Sequence, residues 1–292
     1  MSVAGIESRR RLSTDEYAEV ADLITSVTRA EGRRPLSDRA MLEAAHPRSE
    51  STTHLLARAG GRLIGYAQLT GGMAEIASQD PGVIRALVGA LGVGTPDRLL
   101  VWAHGQAART AAVLRELGFH EQRVLLQMRR SLTDPPLPEP EWPAGVTVRN
   151  FVVGADEAAW LAVNNAAFAH HPEQANWSME DLTSREQEPW FDPEGFFLAE
   201  RDGALVGFHW TKIHAPEGAD AEPVGEVYIV GVAPAMQSQH LGTALTLAGL
   251  AYLAGRGLHT VLLYVDENNR AAVKVYQRLG FVRWDVDILF QR

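Results

Sequence analysis

The sequence predicts an α/β protein made of two tandem domains that share one order of elements. A length of 292 residues exceeds the usual size of one small domain. Each half runs through an amphipathic helix, strand, turn, strand, long strand, helix, strand, helix, a Gly-Phe pair and a final strand. A proline-rich segment separates the halves. We therefore interpret the chain as a divergent duplication.

The segment between Ser131 and Val146 reads SLTDPPLPEPEWPAGV. Its prolines lack the backbone donor that a helix or a sheet requires. We therefore predict an N-terminal domain over residues 1–134, a linker over 135–145 and a C-terminal domain over 146–292.

Four pairs of motifs align the two halves. The hairpin GGRLIGYAQL matches DGALVGFHWT, each turned by glycine. The strand AEIA around Glu75 matches GEVYIVGV around Glu226, and LLVWAHG matches VLLYVDE. The helix ends RELGF and QRLGF also match, each stopped by a glycine, Gly118 and Gly280, that can adopt a positive φ. The matching order supports the duplication.

The spacing between matched residues differs between the halves. Glu226 and Tyr264 are 38 positions apart, whereas Glu75 and Trp102 are only 27 apart. The stretch missing from the N-terminal half corresponds to APAMQSQHLGT, a loop between a strand and a helix. A helix N-terminus presents unpaired N–H groups and a partial positive charge, so residues 237–243 could hold a pyrophosphate. Alone, such a loop is more often an ordinary strand-to-helix connection.

Composition excludes several classes of function. The chain contains no cysteine, which excludes disulfides, thiolate nucleophiles and thiolate metal sites. A net charge of −9 argues against non-specific nucleic-acid binding. His170 and His171 are adjacent without the spacing of a metal site, so we predict no metal. No apolar stretch is long enough for a membrane span, and the N-terminus lacks the core of a secretory signal. We expect a cytoplasmic monomer that acts on small molecules.

The segment NRAAVKVYQRLGF carries Asn269 at its start, Tyr276 on the same helix and a closing Gly-Phe pair. Together with the preceding loop, it resembles the GNAT acyltransferase superfamily. The resemblance implies two GNAT domains, each with a mixed, mostly antiparallel twisted sheet flanked by helices. It also implies that the loop binds the pyrophosphate of CoA and that the helix lies along the pantetheine.

Segments on the acceptor side resemble the tandem GNAT family of mycothiol synthases. These are VNNAAFAHHPEQANW, WFDPEGFFLAERDG and GFHWTKIH, together with LVWAHG in the N-terminal half. The resemblance covers nearly the whole chain and is strongest from Arg149 onward. It implies acetyl transfer from acetyl-CoA to the cysteine amine of cysteinyl-glucosaminyl-inositol, which gives mycothiol.

The same resemblance implies roles for individual residues. Glu226 would act as general base through water, and Tyr276 would protonate the departing CoA thiolate. The implied contacts to acetyl-CoA are Val230, Gly231, Val232, Gln237, Ser238, Gln239, His240, Leu241, Gly242, Thr243, Asn269, Arg270, Ala271, Ala272, Val273 and Lys274. The implied contacts to the acceptor are Asp38, Glu173, Lys212, Glu226 and Tyr264.

Elementary chemistry agrees with these roles. A free α-amine has a pKa of about 7.7 to 8, so a carboxylate acting through water suffices to remove its proton. A phenol of pKa about 10 can protonate a thiolate of parent pKa about 8.5 only at close range. A bulge at Gly231 and Val232 would free an N–H group to polarise the thioester carbonyl.

The binding loop departs from the family pattern, which has basic residues and a first glycine. This chain has Ser238, Gln239 and His240 there and keeps only Gly242. If position 240 requires a positive φ, histidine there costs about 1 to 3 kcal/mol. We therefore expect weaker binding of CoA without loss of function.

The N-terminal half departs further, since Ala107 replaces Asn269 and Leu114 replaces Tyr276 in the aligned register. We predict that this half neither binds acetyl-CoA productively nor catalyses, but supports the other half and supplies Asp38. Glu75 would be a structural relic. Two alternatives remain open: a GNAT acetyltransferase for another primary amine, and a degenerate acetyl-CoA-binding module without activity.

Overall fold

A computed structural model describes residues 5–46, 51–93, 99–105, 108–169, 176–216 and 220–292 of the chain. The elements before the linker are β1 (Gly5–Arg9), α1 (Thr14–Glu31), α2 (Asp38–Ala45), β2 (Thr53–Ala59), β3 (Arg62–Thr70), β4 (Met73–Ala77), α3 (Pro81–Gly92), β5 (Leu100–His104), α4 (Arg109–Glu116) and β6 (His120–Ser131). The elements after it are β7 (Val146–Asn150), α5 (Glu157–Ala167), α6 (Met179–Glu186), β8 (Phe196–Arg201), β9 (Ala204–His214), β10 (Val224–Val232), α7 (Leu241–Gly255), β11 (Thr260–Asp266), α8 (Arg270–Arg278) and β12 (Val282–Gln291).

These strands form one continuous sheet in the order β1-β2-β3-β4-β5-β12-β6-β11-β10-β9-β8-β7. The neighbours β4 and β5 are parallel, as are β10 and β11, and the other pairs are antiparallel. The predicted fold class, a mixed and mostly antiparallel sheet flanked by helices in each half, is confirmed.

The two halves exchange their final strands. β12 pairs with β5 of the N-terminal half, and β6 pairs with β11 of the C-terminal half. β6 and β12 also pair with each other at the centre of the sheet. The two sheets that the sequence predicts are therefore joined edge to edge, and the domain bounds stay a prediction.

The turns that the sequence marks with glycine adopt the expected conformation. The first hairpin turns at Gly60 and Gly61, with φ of 57° and 80°. The second turns at Asp202 and Gly203, with φ of 53° and 78°. Two consecutive residues of positive φ match the right-handed twist of the flanking strands.

Because the sheet is continuous, apolar side chains of both halves pack into one shared core cluster. One cluster joins Ile84 and Leu87 of α3 to Leu250 and Leu253 of α7, with Phe290 of β12 among its members. A second cluster in the C-terminal half is aromatic, and its members are Phe151, Trp160, Phe196, Phe208 and Trp210 together with neighbouring aliphatic residues. None of the described helices is long and apolar enough to cross a membrane.

Helix α7 lies close to β9 because Gly249 leaves room for a buried histidine. The Nδ1 of His209 donates to the Leu245 carbonyl oxygen at 2.8 Å. Burial lowers the pKa of His209 to about 4, so the ring is neutral at physiological pH. A Cβ at Gly249 would lie 2.1 Å from Cε1 of His209 and 2.9 Å from Thr211. This packing fixes the helix whose N-terminus follows the predicted binding loop.

We expect Gly249→Ala to lower the free energy of unfolding by about 1 to 3 kcal/mol, because the added methyl group overpacks a rigid site. Gly255→Ala is the matched control, since it lies on the same helix and its Cβ would have no atom within 4 Å. The control should be neutral or stabilise by up to about 1 kcal/mol through helix propensity. Urea unfolding measures both, and equal effects would contradict this account of α7.

Candidate active site

The central feature of the C-terminal half is an opening between β10 and β11. The two strands pair only from Gly225 to Val227 of β10, which lie opposite Val261 to Leu263 of β11. Beyond Val227 the backbone of β10 is paired on one side only, with β9. The opened edge presents peptide groups that an extended ligand can bond.

The predicted bulge at Gly231 and Val232 is wrong in position. The register of β10 against β9 shifts between Val227 and Ile229, so the irregular residue is Tyr228. Gly231 pairs regularly with Phe208, and a Cβ there would lie 2.5 Å from the Phe208 ring. Glycine at this position therefore makes room for an aromatic ring and does not bulge the strand.

Two cavities meet at this opening. One of about 560 Å³ lies between the end of β10, the start of α7 and α8. The other, about 960 Å³, lies between the two halves of the chain. Phe168, Val230, Ala272 and Tyr276 line both cavities. A group held at this junction is accessible from both sides.

The smaller cavity is bounded by the loop that the sequence singled out. Ser238 and His240 have φ of 66° and 63°, so the positive φ considered for position 240 is present. His240 is the N-cap of α7, and its side chain makes no capping hydrogen bond. The first N–H groups of a helix have no intrahelical acceptor, which leaves those of Leu241, Gly242 and Thr243 for a ligand. These donors suit a pyrophosphate.

Most of the residues assigned to acetyl-CoA lie at the cavities. Those lining the smaller one are Val230, Gly231, Val232, Gln237, Ser238, His240, Leu241, Gly242, Thr243 and Ala272. Asn269 lines the larger cavity and also caps α8, accepting from the N–H of Ala272 at 3.2 Å. The remaining assigned residues line neither cavity, and they are Gln239, Arg270, Ala271, Val273 and Lys274.

Glu226 lies at the wall of the larger cavity. It is in register with Lys212 on β9, and its side chain is buried. Nε2 of His214 donates to Oε2 of Glu226 at 2.6 Å. His214 is about one quarter exposed and also lines the cavity, so it connects the carboxylate to the open part of the site. The hydrogen bond fixes the orientation of the carboxylate.

Asp38 lies across the cavity, on the N-terminal half, and is tied to the C-terminal half by an ion pair with Lys212. Arg34 forms a second ion pair with it. Burial alone would raise the pKa of Asp38, but the charges of Lys212 and Arg34 hold it well below its usual range. Lys212 does not line the cavity; its ammonium lies 4.6 Å from the centre of the Trp190 ring. It holds Asp38 in place instead of facing the open space.

The two tyrosines predicted for the site both face the larger cavity. Burial raises the pKa of Tyr276 to about 12, so this phenol keeps its proton at neutral pH. Burial likewise raises the pKa of Tyr264 to about 12. The hydroxyl oxygen of Tyr264 accepts from Nη2 of Arg33 at 3.2 Å and from Nε2 of Gln127 at 2.8 Å.

Glu75 belongs to a buried charge cluster, a role that the sequence did not indicate. It accepts from the hydroxyl of Ser37 at 2.7 Å and from Nε2 of His104 at 3.0 Å. Nδ1 of His104 donates to Asp287 at 3.1 Å. Burial opposes the charge on His104, but Asp287 and Glu75 raise its pKa to about 10, so the ring is an imidazolium at neutral pH.

Sequence reasoning missed several residues that the structure places at the cavity. Arg33, Gln127, His104, His214 and Asp287 all line it. Asp285 and Asp287 stand on either side of Val286 in β12, a spacing that puts both on one face of the strand, so this signal could have found them. Arg33 lies in the connection between α1 and α2, where no periodicity applies.

Three positions considered from the sequence in the C-terminal half lie outside the described residues. Glu173, assigned to the acceptor, is one, and His170 and His171 are the others. Within the ranges that the structure describes, no cluster of His, Asp or Glu side chains is arranged to hold a metal ion. The prediction of a site without metal stays a prediction. Ala107, aligned with Asn269, is likewise outside, whereas Leu114 is fully buried in α4.

Comparison with known proteins agrees with this geometry. Residues 160–281 match the acetyltransferase (GNAT) family. A tandem GNAT protein from the clavulanic acid biosynthesis pathway has the same fold, with a TM-score of 0.70 at 18% identity, over 99% of this chain and 98% of that one. A GCN5-related N-acetyltransferase from Sphaerobacter thermophilus has a TM-score of 0.67 at 23% identity, over 98% and 95% of the two chains. The fold and site thus define a tandem GNAT acetyltransferase.

Relatives in sequence indicate one family within the class of tandem GNAT acetyltransferases. The mycothiol acetyltransferase of Streptomyces coelicolor is 47% identical over 98% of this chain and 94% of its own length. That of Thermomonospora curvata is 48% identical over 96% of this chain and 95% of its own length. The chain belongs to the mycothiol acetyltransferase family.

The charge on His104 predicts a dependence of stability on pH. Because its pKa rises from 6.5 in the unfolded chain to about 10 in the folded one, its contribution is complete below pH 6.5 and is lost as the pH rises to 10. Over this window the free energy of unfolding of the unsubstituted protein should fall by up to about 1.4 kcal/mol per pH unit. We expect His104→Gln to abolish this fall. Urea unfolding between pH 6.5 and 9.5 measures it. His120→Gln, on an exposed histidine of β6, is the control, and equal slopes in both variants would contradict the assignment.

The left-handed conformation at position 240 predicts that His240→Gly stabilises the protein by up to about 1 kcal/mol. Glycine avoids the steric cost of a positive φ, and this gain exceeds its extra entropy in the unfolded chain. The neighbouring Gln239 does not have a positive φ. Gln239→Gly is therefore the control and should destabilise by about 0.4 to 1 kcal/mol. Chemical denaturation compares the two, and a loss of stability in His240→Gly would refute the strain argument.

Proposed function

We propose that this chain transfers the acetyl group of acetyl-CoA to the cysteine amine of cysteinyl-glucosaminyl-inositol and so forms mycothiol. One observation carries the proposal: a cavity suited to the donor and a cavity suited to a polar acceptor meet at Val230 and Tyr276, with Glu226 at the wall of the acceptor side. The names of the relatives supply mycothiol, and the resemblance of the acceptor-side segments implies the acceptor.

The smaller cavity fits the donor. Acetyl-CoA supplies an activated acetyl group on a thioester. The N–H groups of Leu241, Gly242 and Thr243 would hold its pyrophosphate, and the opened edge of β10 from Val230 to Val232 would bond its pantetheine. Since the loop has no lysine or arginine between Gln237 and Thr243, backbone donors carry this binding.

Glu226 is the proposed general base. An amine must lose its proton before it can attack a thioester carbonyl, and its pKa of about 7.7 to 8 makes this an easy transfer to a carboxylate through water. His214 holds one oxygen of Glu226 at 2.6 Å, which leaves the other for that water. His214 is thus a positioning residue for the base.

Tyr276 is the proposed general acid. Its hydroxyl keeps its proton because burial raises its pKa to about 12. A thiolate of parent pKa about 8.5 takes that proton only while the carbon–sulfur bond is breaking and the two groups are hydrogen-bonded. The place of Tyr276 at the junction of both cavities supports this role.

The N-terminal half is proposed to bind no acetyl-CoA productively. In it, β4 leads almost directly into α3, and Oδ1 of Asp80 accepts from the N–H of Gly82 at 2.7 Å at the start of that helix. A carboxylate therefore occupies the place where a phosphate would bind and would repel it. Leu114, aligned with Tyr276, is fully buried and carries no acidic proton.

The acceptor is proposed to lie in the larger cavity between the halves. Asp38 and Tyr264 face it from opposite halves, and Lys212 contributes by holding Asp38. Glu173 is the remaining residue that we propose to contact the acceptor. Because one chain forms both cavities, we propose that the protein acts as a monomer. We also propose that it uses no metal and acts in the cytoplasm.

We expect Glu226→Gln to reduce kcat for acetyl transfer by about 10²- to 10⁴-fold, because glutamine keeps the shape of the base but cannot take a proton. The KM for acetyl-CoA should change little. Glu222→Gln is the control, since Glu222 is largely exposed and pairs with His259. Release of CoA with the sugar-cysteine acceptor is the assay. Binding of acetyl-CoA without turnover by the unsubstituted protein would overturn the proposed activity in favour of a non-catalytic module, whereas turnover only with another amine would change the acceptor.

A further inference from the structure

A buried chain of charged side chains joins the two halves and is not used by the mechanism above. It runs from Glu75 on β4 through His104 on β5 to Asp287 on β12, and then through Arg33 to the hydroxyl of Tyr264 on β11. All of these residues line the larger cavity. Negative and positive charges alternate along the chain and end at a neutral phenol.

We propose that Arg33 is a positioning residue for the acceptor: it orients the Tyr264 hydroxyl so that its proton points toward an oxygen atom of the bound sugar-cysteine conjugate. The inference rests on the proposed function, because it concerns the acceptor side of that site. It gives the N-terminal half a part in recognition beyond the contact at Asp38.

The hydrogen bonds at Tyr264 support this orientation. Its oxygen accepts from Arg33 and from Gln127, at 3.2 Å and 2.8 Å. The amide of Gln127 is itself oriented, because its Oε1 accepts from Nε of Arg129 at 3.0 Å. Guanidinium and amide NH₂ groups donate only, so neither can receive the proton of Tyr264. That proton is left for an acceptor in the cavity.

Arg33 is held firmly enough to fix its partner. Nη2 lies 3.1 Å from Oδ1 of Asp287, and Nε lies 3.8 Å from Asp285. The N–H of Gly105 donates to the same Asp287 oxygen at 2.9 Å. Gly105 has a φ of 94°, and a Cβ there would lie 3.4 Å from Cγ of Arg33. The backbone thus approaches the arginine closely, and only 17% of the Arg33 side chain is exposed.

The planar guanidinium of Arg33 fixes the directions of donors that reach two different strands. Nη2 of Arg33 contacts both the Tyr264 oxygen and Asp287, while Nε faces Asp285. Lysine would keep the positive charge, but its ammonium rotates on a flexible stem, so its donors lack the directions that the planar guanidinium fixes. We therefore expect Arg33→Lys to retain the fold and to orient the phenol poorly.

Steady-state kinetics of a double-mutant cycle test the inference. We expect Arg33→Gln and Arg33→Lys each to raise the KM for the sugar-cysteine acceptor about tenfold and to leave the KM for acetyl-CoA within about twofold. Tyr264→Phe should have a similar effect. In the Tyr264→Phe background the Arg33 substitution should add less than about twofold, since the hydroxyl to be oriented is gone.

Arg85→Gln is the matched control, because Arg85 lies on α3 with a 46% exposed side chain paired to Glu116. It should leave both KM values unchanged. Calorimetric titration with the acceptor separates the two proposals. Acceptor binding without turnover by the unsubstituted protein would overturn the activity, whereas full affinity in the folded Arg33→Lys protein would overturn the role of Arg33. Additive effects of the Arg33 and Tyr264 substitutions would also overturn it.

Discussion

The exchange of final strands between the halves is the constraint on which the rest of the structure depends. β12 lies between β5 and β6, so the last strand of the C-terminal half completes the sheet of the N-terminal half. This pairing merges two cores into one cluster that includes α3 and α7. It also places Asp287 beside His104 and brings β6, with Gln127, beside Tyr264. The acceptor cavity exists because the halves are joined in this way.

Burying so many charges is feasible only because each described member of the cluster is paired. Desolvation of an ion costs several kcal/mol, and the cost is offset only by close partners and additional hydrogen bonds. His104 has a carboxylate on each nitrogen, and Asp287 accepts from Arg33, His104 and the Gly105 amide. Loss of one partner from such a group typically costs about 3 to 5 kcal/mol. The cluster therefore specifies one arrangement of the halves more than it adds net stability.

Local patterns in the sequence were sufficient to predict the glycine turns, the mixed sheet and most of the element order, but they missed the first strand and the second helix of each half, which are β1, α2, β7 and α6. They could not predict the strand exchange, because β6 and β12 both follow a Leu-Gly-Phe helix end and have similar alternation, so local propensity does not choose their partners. The catalytic candidates Glu226 and Tyr276 were found through motifs, and the structure places both at one cavity. Arg33 was not found, because the residues that it contacts lie on β11 and β12, more than 200 residues away in the sequence. The bulge was predicted at the wrong position because a glycine in a strand can mark either a bulge or the close approach of another group, and at Gly231 it marks the close approach of a ring.

The strand exchange also has a consequence for synthesis on the ribosome. The edge of β5 acquires its native neighbour only when β12, which ends at Gln291, has emerged. Until then this edge of β5, with the buried residues Val101, Trp102 and Ala103, lacks its native neighbour, and an unpaired edge can pair with another chain. The first half therefore depends on the ten-residue strand β12, and a chain interrupted before this strand would leave the first half open.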